Sequence, residues 1–208
     1  MTTADEEWIY KSPMYGIQKL VYNIYARVPN GFEKNYEGGR GATLAAATDE
    51  AECALSYSSV HRFYNGGWNP NNPFSFTWSN SYAAIAEANT FHEKRDKINL
   101  DEYKNNLDFE AMKKKFELFE YEVRFLRAYF YWILVRTFGP VPIVPDETLD
   151  YTKEYDEISL LRNSYDECVD YIVGECVKAA TMLQDRRDLQ EIVRPTRCLL
   201  YTSPSPRD

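Results

Sequence analysis

The chain has 208 residues, 44% hydrophobic and 27% charged, a size and balance that fit one globular domain or part of a larger one. Its net charge of −8 at pH 7 argues against a nucleic-acid partner, which demands a basic face. Aromatic residues reach 15%, with 17 Tyr and 4 Trp, an excess that serves buried cores and ligand platforms alike.

Residues 1–20 show no basic start followed by an apolar stretch, so the sequence as it stands carries no signal peptide. Residues 14–27 set Ile17, Leu20, Val21, Ile24 and Tyr25 on one helical face, and "VPNGF" breaks the pattern. After the Gly-rich stretch "NYEGGRGA", residues 42–63 are predicted helical. Then comes "NGGWNPNNPF", Asn65 to Phe74. Its prolines exclude a regular ladder, so Trp68 sits on an amide-rich loop. There it either plugs a core from above or offers a flat face to a ligand. Trp78 is expected to precede the next helix, over 80–97, and to pack inside.

The strongest helix is predicted over 107–138. Phe116, Phe119, Val123, Leu126, Phe130 and Ile133 recur at alternating steps of 3 and 4, an amphipathic seam. From Phe125 onward Tyr129, Trp132 and Val135 make the other faces apolar too, which requires packing on several sides. The run Ala128 to Val135 falls well short of the about 20 apolar residues of a membrane span. Gly139 is positioned to end the helix, and the prolines of "FGPVPIVP" force extended chain. A further helix begins at "RNSYDE", where Ser164 and Glu167 form a capping box. Cys168, Tyr171, Ile172 and Cys176 give it a buried stripe. No strand alternation and no repeat emerge, so the fold class is all-α.

The chemistry-bearing residues are sparse. Four cysteines without a C-x-x-C pair, and only two histidines, make no zinc site. Cys168 and Cys176 stand roughly 12 Å apart along one helix, too far for a disulfide. His61 and His92 lack companions for catalysis. Arg124 and Arg127 read as structural, with Glu120 one turn before Arg124. Acids such as Asp101, Glu102, Asp150, Glu154 and Asp156 read as solvated faces or loops. No Ser/His/Asp motif or phosphate loop occurs, and no cofactor is expected.

A resemblance is carried by "EYEVRFLRAYFYWILVRTFGPVPIVP" followed by "RNSYDECVDYIVGECVKAATML", with "ATDEAE … WNPNNP … WSNSYAAIAEANTF" before them; the Arg-Phe-Leu-Arg-Ala helix, the Phe-Gly-x-Val-Pro turn and Asn-Ser-Tyr-Asp-Glu are its three ordered landmarks. Across residues 14–197 the chain resembles the RagB/SusD family. The resemblance implies an α-helical fold of tetratricopeptide-like helix pairs. It implies a cell-surface lipoprotein of the outer membrane in Bacteroidetes-type bacteria. Such a protein caps a SusC-like TonB-dependent transporter and binds a glycan or oligosaccharide before import. It is no enzyme, needs no cofactor, and touches the membrane only through a lipid anchor. The family's ligand platforms place a Trp and Asn in this loop region. That carries over to Trp68, Asn69 and Asn71, with Asn72 and Tyr64 as secondary contacts.

Family members start with a lipoprotein signal and an acylated cysteine, neither of which this sequence shows, and they are much longer. Residues 1–197 are therefore expected to be an N-terminal region. "CLLYTSPSPRD", residues 198–208, resembles the translation of a sequencing-adapter end and is expected to form a disordered tail. Two other readings stand beside a glycan-binding fragment: a helical protein-interaction module without a small ligand, and a glycan-cleaving enzyme. Glycan affinity lost with Trp68 separates the first from the second; released reducing sugar marks the third.

Overall fold

A computed structural model describes residues 13–29, 44–73, 75–146 and 159–183. Among these, four α-helices and three short 3-10 turns form, and the one β-type contact is an isolated bridge between Asn69 and Asn72. The helices are α1 (Pro13–Ala26), α2 (Ser75–Asp96), α3 (Phe109–Phe138) and α4 (Tyr165–Met182). The chain divides into two compact units, one of residues 27–83 and one of the residues before and after it.

In the larger unit α3 is the spine, with α4 and α1 laid against it. All six residues of its predicted seam are buried, each worth roughly 1.5–3 kcal/mol of hydrophobic transfer. From α1, Ile17, Leu20, Val21 and Ile24 are buried, and Tyr25 donates to Glu122 Oε2 of α3 at 3.2 Å. The second half of α3 is covered on several sides, as its composition requires: Phe125, Leu134 and Val135 are buried as well. Tyr129 and Trp132 remain half-buried. Their rings stack with centroids 5.6 Å apart, and the Arg136 guanidinium lies 4.5 Å over Trp132, a cation on an aromatic face.

Gly139 ends α3 at φ +73° and donates its N–H to Val135 O at 2.9 Å. A β-carbon there would meet nothing within 4 Å, so the glycine answers a conformational demand, not a steric one. The proline-rich stretch that follows cannot form a ladder, and side chains supply its partners. Tyr131 OH accepts from Val144 N–H at 2.8 Å, and Asn163 Oδ1 from Ile143 N–H at 2.9 Å. Arg127 reaches across from α3. Its Nη2 donates to Val144 O at 2.7 Å and Pro145 O at 3.3 Å, and its Nη1 to Tyr171 OH at 2.7 Å and to the Asp146 carboxylate.

The capping box opens α4 as predicted: Ser164 Oγ accepts from Glu167 N–H at 3.3 Å, and Glu167 Oε2 from Ser164 N–H at 2.7 Å. Those bonds hold the Glu167 carboxyl below its ordinary pKa. The predicted stripe is only partly interior. Cys168 and Ile172 are buried, Tyr171 and Cys176 half-buried, and Val169, Glu175 and Ala179 complete the contact face. Glu175 explains Arg124, whose Nη1 donates to it at 3.0 Å while Nη2 donates to Glu120 at 3.2 Å. Cys53, Cys168 and Cys176 are free thiols.

The smaller unit overturns the helix predicted over 42–63. Only Leu44–Ala47 and Ser59–Phe63 coil, each as a 3-10 turn, with turns and irregular chain between them. Hydroxyl side chains capture the backbone locally and so compete with α-helix. Thr48 Oγ1 donates to Ala45 O at 2.8 Å and accepts from Glu50 N–H at 3.3 Å, and Ser58 Oγ accepts from Val60 N–H at 3.4 Å. Ala46 and Val60 form a small core, with Ala47, Cys53 and Phe63 against it. Trp78 is also corrected. It lies inside the first turns of α2, not before it, and is half-buried, tilted against Tyr82 with centroids 5.0 Å apart.

Candidate functional site

The loop after the Ser59–Phe63 turn is built by its own amides. Gly66 takes φ +74°, a turn that an L side chain resists. Asn65 Oδ1 accepts from Gly67 N–H at 2.8 Å. Asn69 Nδ2 donates to Gly66 O at 3.3 Å, and Asn69 Oδ1 accepts from Asn71 N–H at 3.0 Å. Asn72 Nδ2 donates to Gly67 O at 2.8 Å, and its N–H to Asn69 O at 2.9 Å. Asn69 and Asn72 are thus the loop's internal ties. Asn71 is exposed, and its side-chain amide enters no hydrogen bond among the described residues.

Trp68 stands on this frame at 40% exposure, neither a buried plug nor a loose side chain. Its ring meets Phe63 edge to face, centroids 5.2 Å apart at 69°. Phe63 in turn packs on the Ala46–Val60 core, so the indole has a rigid support and a part open to solvent. Tyr64, 55% exposed, sits at the end of the preceding turn. His61 Nε2–H donates to Leu55 O at 2.9 Å, which leaves Nδ1 to accept from the Tyr64 hydroxyl. Partial desolvation, then the Glu52 carboxylate and Cys53, keep the Tyr64 phenol above its ordinary pKa and hence protonated. His61 therefore has partners that its sequence position does not reveal.

The five predicted residues fall on one continuous stretch, Tyr64 to Asn72, and divide by role. Trp68, Tyr64 and Asn71 face outward, whereas Asn69 and Asn72 bond inward. One residue that sequence reasoning passed over belongs with them: Arg62, whose Nη2 donates to Asn72 O and, at 3.1 Å, to Pro73 O. Nothing in local spacing announces a contact across ten or eleven residues.

In the larger unit, His92, Glu93, Arg95, Asp96, Glu120, Arg124 and Asp146 line an open cleft of about 550 Å³. Its charges satisfy one another. Arg95 pairs with Glu120 at 2.7 Å and Asp96 at 3.3 Å, Glu93 with Lys97 at 2.6 Å, and Asp146 with Arg127. Burial first, then Arg124, lowers the His92 pKa. The cleft is an ion-pair network joining α2, α3 and α4.

No curated protein matches the chain. Solved structures share its fold. A SusD-like protein from Bacteroides fragilis matches at TM-score 0.65 and 20% identity, over 93% of this chain and 34% of that one. A SusD-like carbohydrate binding protein, also from Bacteroides fragilis, matches at TM-score 0.65 and 20% identity, over 89% and 35%. A surface glycan-binding protein A from Bacteroides uniformis matches at TM-score 0.57 and 17% identity, over 89% and 39%. The chain thus spans little more than a third of these structures' length. The family model described as starch-binding and associating with the outer membrane matches residues 11–205, and the chain belongs to this SusD-like family.

Proposed function

We propose that this chain forms part of a surface protein that captures a glycan, with Trp68 as the stacking platform. The observation that carries the reading is the Trp68 indole itself, part-exposed at 40%, seated on Phe63, and set in a loop already stiffened by its own amides. A sugar ring has apolar C–H faces and a hydroxyl rim. A supported indole meets the first, and the Asn71 amide and the Tyr64 phenol are the groups at hand for the second. Asn69 and Asn72 contribute by fixing the loop, with spare lone pairs and protons for a ligand hydroxyl. Pro70 and Pro73 reduce the entropy lost on binding.

One stacked ring is worth roughly 0.5–1.5 kcal/mol beyond its buried area. A single site is therefore weak, and a polymeric glycan gains by engaging many copies. The family model's description favours an outer-membrane location; in this reading the sugar is handed to a SusC-like TonB-dependent transporter. The role is binding, not cleavage. The test is affinity electrophoresis in native gels containing laminarin or soluble starch. Wild type is expected to be retarded by at least one polysaccharide and Trp68→Ala by neither. Equal retardation of the two would refute the platform.

A further inference from the structure

We propose that Arg62 is the positioning residue of the Trp68 loop, a clasp holding both of its ends; this rests on the reading of that loop as the ligand platform. The loop leaves its turn at Tyr64 and must be tied down again near Pro73. Pro70 and Pro73 have no N–H to offer, so the loop's exit is tied through its carbonyls, by donors from elsewhere. Arg62 provides them, with Nη2 directed at Asn72 O and Pro73 O. At the other end its own carbonyl accepts from Trp68 N–H at 3.0 Å. One residue thus fixes the backbone of the platform and the loop's exit together.

Its foundation is equally defined. Arg62 lies in the Ser59–Phe63 turn, where Val60 is buried in the small core and Phe63 supports the indole. Consecutive residues of one turn therefore carry the underside of the ring and the tether of the loop. The approach is close enough to specify its neighbour: a β-carbon on Gly67 would come within 3.1 Å of Arg62 Cγ and 2.8 Å of Asn65 Oδ1. Lysine is a poorer clasp: the two protons of Nη2 are fixed in the guanidinium plane toward the two carbonyls, whereas an ammonium rotates freely on its stem. Nη2 of this guanidinium is directed at backbone oxygens, which fits the task of holding the loop.

The test uses the full chain labelled with 5-fluorotryptophan, its Trp68 resonance assigned by loss in Trp68→Phe. Arg62→Met keeps the stem and removes the fork; Arg62→Lys keeps the charge alone. In both, the Trp68 resonance is expected to move toward the free amino acid's shift. Retention on laminarin or soluble starch is expected to fall about tenfold in Arg62→Met, as an unrestrained platform must be ordered on binding. A Trp68 resonance unmoved in both variants overturns the proposal. So does weaker retention with an unmoved resonance, which would make Arg62 a ligand contact. If wild type is retained by neither polysaccharide, the platform reading falls, and the resonance still decides whether Arg62 holds the loop.

Discussion

Replacing Arg127 by methionine is expected to cost roughly 3–6 kcal/mol of unfolding free energy, and the source of that cost is specific. The Arg127 side chain is 4% exposed, but its carboxylate partner Asp146 is 66% exposed. The ion pair is therefore largely screened and worth about 0–1 kcal/mol. The weight falls on neutral acceptors. Val144 O and Tyr171 OH each receive a guanidinium proton at 2.7 Å, and a hydrogen bond from a charged donor is worth roughly 1.5–3 kcal/mol. Pro145 O keeps Asn89 Nδ2 as a donor at 2.8 Å, so it is not left unpaired. Two such bonds give the stated range, a large share of the about 5–15 kcal/mol that holds a typical domain. Urea unfolding followed by circular dichroism measures it. Arg127→Met should lower the midpoint strongly, while Asp146→Asn should cost less than about 1 kcal/mol. If the two variants cost the same, or if Arg127→Met is nearly silent, Arg127 does not hold the segment after α3.

Ser164→Ala removes half of the capping box and should destabilise the protein by about 1 kcal/mol, read as a lower urea midpoint at unchanged slope. His92 should make stability depend on pH. Burial and the Arg124 and Arg127 charges outweigh Glu120 and Asp146 to set its folded pKa below the ordinary 6.5. Between the folded and unfolded values the unfolded chain binds more protons, so this contribution is complete above 6.5 and is lost as pH falls below it. Melting midpoints of wild type and His92→Gln across that window should diverge in slope; parallel curves would remove His92 as the cause.

What the sequence displayed well was local and periodic. The α3 seam, the Gly139 terminus and the Ser164–Glu167 box are all encoded within a few residues, and the first helix is recovered to within a residue at either end. Partners brought together by folding were hidden. Glu120 is readable as the ion-pair partner of Arg124 because it lies one turn away, but Glu175 lies 51 residues on. The segment from 42 to 63 has helix-forming alanines, yet Thr48 and Ser58 bond their own backbone and win. In the loop, residue type together with the family resemblance nominated the asparagines as ligand groups. Their orientation, with Asn69 and Asn72 tied inward and Asn71 outward, depends on carbonyl positions that composition does not specify. Arg62 escaped for the same reason.

The most direct measurement is calorimetric titration of laminarin and soluble starch into wild type, Trp68→Phe and Trp68→Ala, with melting midpoints recorded alongside. A stacking platform predicts that phenylalanine retains part of the affinity and alanine loses about tenfold or more, roughly 1.4 kcal/mol, with midpoints nearly unchanged. Full affinity in the alanine variant, or a collapse of its midpoint while the folded fraction binds normally, would make Trp68 a structural residue and contradict the account.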